Sequence, residues 1–314
     1  MNPARIVFPG FWFGESSLMA AKKMAKRGVG GFCVYGGTAK ETVRFIDAVR
    51  LASPYDHLLI CADINEDLSE VVRDVPLLAK NIELGAAEDT EGAYRKGFLS
   101  ARVARSIGID WLLAPVVDIG SESPSFGQNP LAVARLCGDY AAGMANGGVL
   151  NCIKYFPGVG STLKTLAQME DTEFVPYKHM FRRADAVMPS DMVFSNLDAA
   201  NRAVMSERII SGLLKKRLNY KGCVVSSPLF KSHISEEAAA ALRMVHCGVE
   251  LLLAPQDVQG VMDLVEEEYE KGNIADMVIR AVSNLELFTS KVQTSTAPVL
   301  PLKEALAQAK AFKK

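Results

Sequence analysis

Eight apolar runs of strand length recur along the chain, at 5–11, 30–36, 57–64, 111–118, 150–157, 186–194, 222–229 and 249–255. Most are apolar at nearly every position rather than every second one, the pattern of strands buried on both faces. Between them the apolar spacing changes to that of amphipathic helices, over 15–29, 39–52, 91–108, 130–148, 177–184, 206–219, 236–248 and 275–290. Gly28, Gly108, Gly148 and Gly248 close four of these segments, where a left-handed residue ends a helix cheaply. Strands alternating with helices permit a closed parallel barrel or an open doubly wound sheet. An open dinucleotide-binding sheet would carry G-x-G-x-x-G after its first strand, and only Gly10 and Gly14 stand there. Strand count and a length of 314 residues favour an α/β fold of the (β/α)8 TIM-barrel type, in a single domain over 1–290. Residues 291–314 read as a proline-marked linker and a short basic helix, either a mobile appendage or a packing arm.

Composition narrows the partners. The chain is 49% hydrophobic and 23% charged, with a formal net charge of −1, so the charge balance points to neither nucleic acid nor an acidic membrane surface. No apolar run approaches the roughly 20 residues that cross a bilayer, and the first residues lack the basic and apolar regions of a secretory leader. A cytoplasmic location is expected. The six cysteines form no C-x-x-C pair, and Cys33, Cys61, Cys152 and Cys223 lie inside strand runs, which reads as buried thiols in a reducing compartment. His57, His179, His233 and His246 show no ligand spacing, so neither a metal nor a cofactor is expected.

In a barrel of this kind the chemistry sits at the C-terminal ends of the strands. That rule selects Asp63 with Asn65, Asp118, Lys154 with Tyr155, Ser190 with Asp191, Ser226 with Ser227, and Gln256. The ring is polar and rich in carboxylates, as a sugar-sized pocket would be. Asp63 and Asp118 are each also suited to closing a turn.

A more specific pattern runs through the same positions. Lys154-Tyr155-Phe156-Pro157-Gly158-Val159-Gly160-Ser161-Thr162 resembles the K-H-F-P-G-H-G-[DS]-T signature of family 3 glycoside hydrolases, in particular the bacterial β-N-acetylglucosaminidase branch. Residues 28–37, 60–67, 112–130, 184–194, 205–227 and 248–255 match further segments of that family in order, so the resemblance covers roughly 5–290. It implies a barrel that holds a sugar, with Asp63 and Lys154 hydrogen-bonding its hydroxyls and Tyr155 offering a stacking face.

The departures fall on the chemistry. Retention of configuration needs a carboxylate nucleophile with an acid/base about 5 Å across from it. The resemblance puts the nucleophilic Asp directly after the serine that ends the seventh strand, where this chain has Ser227. The family branch carries its acid/base histidine on a loop after the glycine motif. Here only 163–172 follow, without a histidine. Tyr155 and Val159 replace the motif histidines, and Ser123-Pro124 stand where a sugar-clamping arginine is expected. Two readings follow. In the first the chain is a catalytically degenerate member, non-hydrolytic, that binds a small carbohydrate or peptidoglycan fragment through Asp63, Asp118, Lys154, Tyr155, Asp191 and Ser227, or acts as a scaffold for a protein partner or a second copy. In the alternative it is an active glycosidase with relocated carboxylates, Asp118 and Asp191, separated by about 6.5–9.5 Å for an inverting route, with Glu170 or Asp171 as a further acid.

Overall fold

The eight expected runs come together as one parallel ring. The computed structural model describes residues 1–161, 163–232 and 235–312. Its first barrel strand is β1 (Val7–Phe8), resumed as β2 (Gly10–Trp12) after Pro9, which has no N–H to give the ladder. Then follow β3 (Gly31–Tyr35), β4 (Leu59–Ala62), β5 (Trp111–Leu112), β6 (Cys152–Phe156) and β7 (Ala186–Pro189). A short hairpin, β8 (Val193–Phe194) and β9 (Asp198–Arg202), precedes β10 (Cys223–Val224) and β11 (Leu252–Leu253).

The pairing order is β2-β3-β4-β5, β6-β7-β10 and β11-β1, all parallel. Parallel bridges between Trp111 and Leu150 and between Val225 and Leu251 join these arcs. The ring therefore closes, and the TIM barrel expected from the sequence is the fold. Its strand residues, among them Phe8, Cys33, Ile60, Trp111, Ile153, Val187, Val224 and Leu252, are fully or almost fully buried.

The helices form the outer layer, and their ends are written locally. The helix α1 (Leu18–Arg27) starts at Ser17, whose side chain accepts the Ala20 N–H, and stops at Gly28 with φ +94°. In α2 (Ala39–Ala52), Thr38 and Glu41 form a capping box. The helices α3 (Asn81–Ala86), α4 (Thr90–Ser106) and α5 (Pro130–Gly147) follow. Contact between α4 and α5 depends on glycine: a Cβ on Gly97 would lie 2.0 Å from the Tyr140 carbonyl oxygen. The short helices α6 (Leu166–Asp171) and α7 (Phe174–Met180) come after β6, and a π-helix spans Arg208–Arg217. The barrel is completed by α8 (Glu237–Cys247), α9 (Val258–Glu270) and α10 (Ala275–Gln293).

Two boundaries differ from the sequence pattern. The run 186–194 does not form one strand: β7 ends at Pro189, and Val193–Phe194 turn away to pair antiparallel with β9. Ser190 fixes the break, its Oγ accepting the Met192 N–H at 3.2 Å and its carbonyl accepting the Val204 N–H at 3.0 Å. At the other end, α10 runs three residues past 290. The tail then lies against the barrel as α11 (Leu302–Lys310), which packs on α4 with Ala305 and Ala309 buried. Arg105 ties down the linker by donating to Ser295 Oγ at 3.1 Å and the Ala297 carbonyl at 2.8 Å.

Candidate functional site

The expected site residues form three groups at the C-terminal end of the ring. The innermost group is an ion pair. Lys154 projects from β6 and Asp63 follows β4; Lys154 Nζ lies 2.7 Å from Asp63 Oδ1, with side-chain exposures of 0% and 2%. Lys231 contacts the other oxygen of the same carboxylate, 2.8 Å from Oδ2, with its own side chain 51% exposed. Burial works to raise the Asp63 pKa, but Lys154 and Lys231 outweigh it and hold the carboxyl below its usual range. Lys154 is correspondingly raised, burial opposing and Asp63 prevailing.

Tyr155 belongs to the same group. Its hydroxyl donates to Asn65 Oδ1 at 2.7 Å, and its ring centroid lies 5.1 Å from Lys154 Nζ. Asp63, Asn65, Lys154 and Tyr155 thus form one connected floor, assembled from β4 and β6, which β5 separates in the ring and which lie some 90 residues apart in sequence. Sequence reasoning selected all four but missed Lys231. It sits four positions beyond Ser227, at the end of a single helical turn, with no local sign of a partner 168 residues away.

The second group is built around the glycine motif. Gly158 has φ +117°, and a Cβ there would meet Glu173 Cγ at 2.7 Å, so both conformation and space require glycine. Asp118 Oδ1 accepts the Val159 N–H at 3.3 Å and anchors the turn. Burial pushes the Asp118 carboxyl up to about 7, against the backbone N–H bonds from Val159 and Tyr155, with nearby Glu173 adding to the rise. Glu173 is buried and accepts from Lys164 Nζ at 2.5 Å. Thr162, the last residue of the motif, lies outside the described residues, as does His233. Glu170, considered from sequence as a further acid, is engaged elsewhere: it pairs with Lys178 and Arg217, and the Lys178 bond leads in holding its pKa low. An acid held in its ionised form by two cations is a poor proton donor.

The third group lies between the ends of β7 and β10. Asp191 Oδ2 pairs with Arg202 Nη1 at 2.5 Å, and the same nitrogen donates to the Ser232 carbonyl at 3.2 Å. Asp191 therefore braces the hairpin against the loop after β10, in a network separate from that of Asp118. Ser226 Oγ accepts the Leu253 N–H at 2.8 Å and fixes the end of β10. Ser227, one residue on, is 5% exposed, and its Oγ has no hydrogen-bond partner among the described residues. Ser232 Oγ and Asp191 Oδ1 are likewise buried and without a hydrogen-bond partner among the described residues.

All six cysteines are buried free thiols, and among the described residues no cluster of His, Cys, Asp and Glu is arranged to hold a metal ion. No described helix is long and apolar enough to cross a membrane.

The chain is a closed parallel barrel with a buried Asp–Lys pair at the C-terminal end of its ring, and comparison with known proteins gives its family. Residues 12–286 match the glycosyl hydrolase family 3 N-terminal domain, and the chain belongs to that family. It is 27% identical over 213 residues to a beta-hexosaminidase of Actinobacillus pleuropneumoniae serotype 3 (strain JL03), covering 60% of this chain and 59% of that protein. A beta-hexosaminidase of Shewanella frigidimarina (strain NCIMB 400) is 27% identical over 271 residues, 76% of this chain and 78% of its own length. Among solved structures, a family 3 beta-N-acetylglucosaminidase from Paenibacillus sp. str. FPU-7 superposes with a TM-score of 0.85 at 24% identity, over 99% of this chain and 67% of that one. Native NagZ from Neisseria gonorrhoeae gives a TM-score of 0.77 at 22% identity, over 98% and 97%. At these identities the structural likenesses concern the fold.

Proposed function

We propose that this family 3 barrel does not hydrolyse glycosides by the retaining two-carboxylate route, and that it binds a carbohydrate of the peptidoglycan-fragment class or serves as a scaffold. Ser227 carries the reading. A neutral hydroxyl at the end of β10 neither stabilises an oxocarbenium-like transition state nor forms the glycosyl ester that a carboxylate would. Its Oγ is buried and makes no hydrogen bond to a base among the described residues. The floor that would hold sugar hydroxyls keeps Asp63 and Lys154, with Tyr155 beside them in place of a motif histidine. The carboxylates left for a relocated mechanism are otherwise engaged, Asp118 by the glycine turn and Asp191 by Arg202. Six buried free thiols agree with a cytoplasmic setting.

The test is hydrolysis of aryl β-N-acetylglucosaminide and aryl β-glucoside at high protein concentration, for the native chain beside Ser227→Asp, Ser227→Ala, Asp118→Asn and Asp191→Asn. No turnover by the native chain is expected. The raised pKa of Asp118 is what favours the alternative, an inverting glycosidase with Asp118 as proton donor. Turnover that survives Ser227→Ala and is lost in Asp118→Asn or Asp191→Asn would establish that alternative and refute the proposal.

A further inference from the structure

Asp63 is approached by two lysines from opposite sides. Lys154 comes from the core and is fully buried, whereas Lys231 comes from the solvent side with half its side chain exposed. The backbone that delivers Lys231 is held in place. Leu229–Lys231 form a helical turn after β10, and the Phe230 N–H donates to the Ala254 carbonyl at 3.1 Å. The Phe230 ring then meets two aromatic rings edge-on, Trp12 at 5.0 Å and Tyr35 at 5.3 Å. Those two are themselves stacked, 5.0 Å apart and 10° from parallel. Lys231 Nζ passes 5.6 Å from the Phe230 centroid on its way to Asp63. An aromatic seat therefore places an ammonium group on the one Asp63 oxygen that Lys154 leaves open.

We propose that Lys231, seated by Phe230, is a built-in occupant of Asp63 which a ligand must displace. This rests on the reading that the floor binds a carbohydrate, and it names the chemistry admitted. With Lys231 withdrawn, Asp63 and Lys154 remain as a neutral pair presenting a single acceptor, Oδ2. The group that replaces the ammonium must donate hydrogen bonds, as a sugar hydroxyl or the amine of an amino sugar does. A carboxylate or phosphate placed there would face the Asp63 charge. An ion pair with one half-exposed partner is weak enough for a small ligand to open, so Lys231 sets a threshold for binding rather than sealing the site.

Two measurements on the full chain test this. In the first, the acylation rate of Lys231 by an amine-reactive reagent, read by mass spectrometry, is compared between the native chain and Asp63→Asn. Should Asp63→Asn fail to fold, Phe230→Ala, which removes the seat, supplies the released reference. Lys231 is expected to react about fivefold more slowly in the native chain, the protection a pair of this exposure gives. In the second, N-acetylglucosamine and glucosamine are titrated calorimetrically into the native chain, Lys231→Met and Lys231→Arg. Lys231→Met is expected to bind about fivefold more tightly than the native chain, and Lys231→Arg to return to native affinity. Equal affinities of the native chain and Lys231→Met overturn the inference while the carbohydrate reading stands. A protected Lys231 with no sugar bound by any of the three proteins overturns the carbohydrate reading and with it the displacement that rests on that reading, leaving only the ion pair to Asp63. A Lys231 that reacts as fast in the native chain as in the released variant overturns the inference outright.

Discussion

Replacing Lys154 by methionine tests the physics of the floor directly. The lysine is fully buried, and its ion-pair partner, Asp63, has a side chain only 2% exposed. Methionine fills a similar volume without charge, so packing is largely conserved and the effect is electrostatic. The variant leaves the Asp63 carboxylate desolvated with only the half-exposed Lys231 to compensate. Breaking one side of a buried pair costs about 3–5 kcal/mol, because the remaining charge is left unpaired. Retained contact with Lys231 pulls the expectation toward about 3 kcal/mol. Lys231→Met is the internal control: it removes an equal charge from the same carboxylate, yet as a half-exposed partner it should cost no more than about 1 kcal/mol. Removing both buried charges, Asp63→Asn with Lys154→Met, should recover much of the loss, since no unpaired ion remains. Urea unfolding followed by the fluorescence of Trp12 and the buried Trp111, with unchanged m-values, supplies the numbers. Equal costs for Lys154→Met and Lys231→Met would refute the reasoning, as would a double variant worse than the sum of its parts.

Two further expectations concern stability. Asp118 keeps its proton in the folded chain up to about 7. Between the ordinary carboxylate range and that point the folded chain holds a proton which the unfolded chain has lost, so stability falls as pH rises through this window. Part of the Asp118 surface reaches solvent, so the effect is on the order of 1–3 kcal/mol in total, below the roughly 4 kcal/mol that about 1.4 kcal/mol per pH unit would give across the whole window. The amide of Asp118→Asn keeps an oxygen for the Val159 N–H and should flatten this slope between pH 4.5 and 8; parallel native and variant profiles would contradict it. At the α4–α5 contact, Gly97→Ala drives a methyl to 2.0 Å from the Tyr140 carbonyl oxygen and should cost at least about 1–3 kcal/mol in chemical denaturation. An unchanged midpoint would mean that the two helices separate freely.

Much of the fold could be read from the sequence because a parallel barrel writes its strands as unbroken apolar runs, as at 57–64 and 150–157. The hairpin of β8 and β9 was hidden because Val193 and Phe194 extend the apolar run of β7, while the break is made by the hydrogen bonds of Ser190. The floor was legible as a set, since Asp63, Lys154 and Tyr155 sit at strand ends, where the fold class itself places chemistry. What they bond to was not. The second cation on Asp63 and the Arg202 partner of Asp191 depend on how loops cross the mouth, and loop paths leave no periodic trace. Asp118 was equally illegible in its role: a local turn-closing part is what its sequence context suggests, whereas its carboxylate accepts the Val159 N–H of the glycine turn, 41 residues on.

The tail has a consequence for the economy of the chain. Residues beyond α10 cover a strip of α4, with Ala305 and Ala309 fully or almost fully buried and Arg105 gripping the linker on both Ser295 and Ala297. The surface beneath has thereby been adapted to a permanent tenant: small side chains on α11 admit close approach, and Arg105 spends its donors on backbone and hydroxyl oxygens. A version of this barrel ending at residue 290 would bare the strip of α4 that α11 covers and leave the Arg105 donors without Ser295 and Ala297, so the outer face of α4 and the tail stand or fall together.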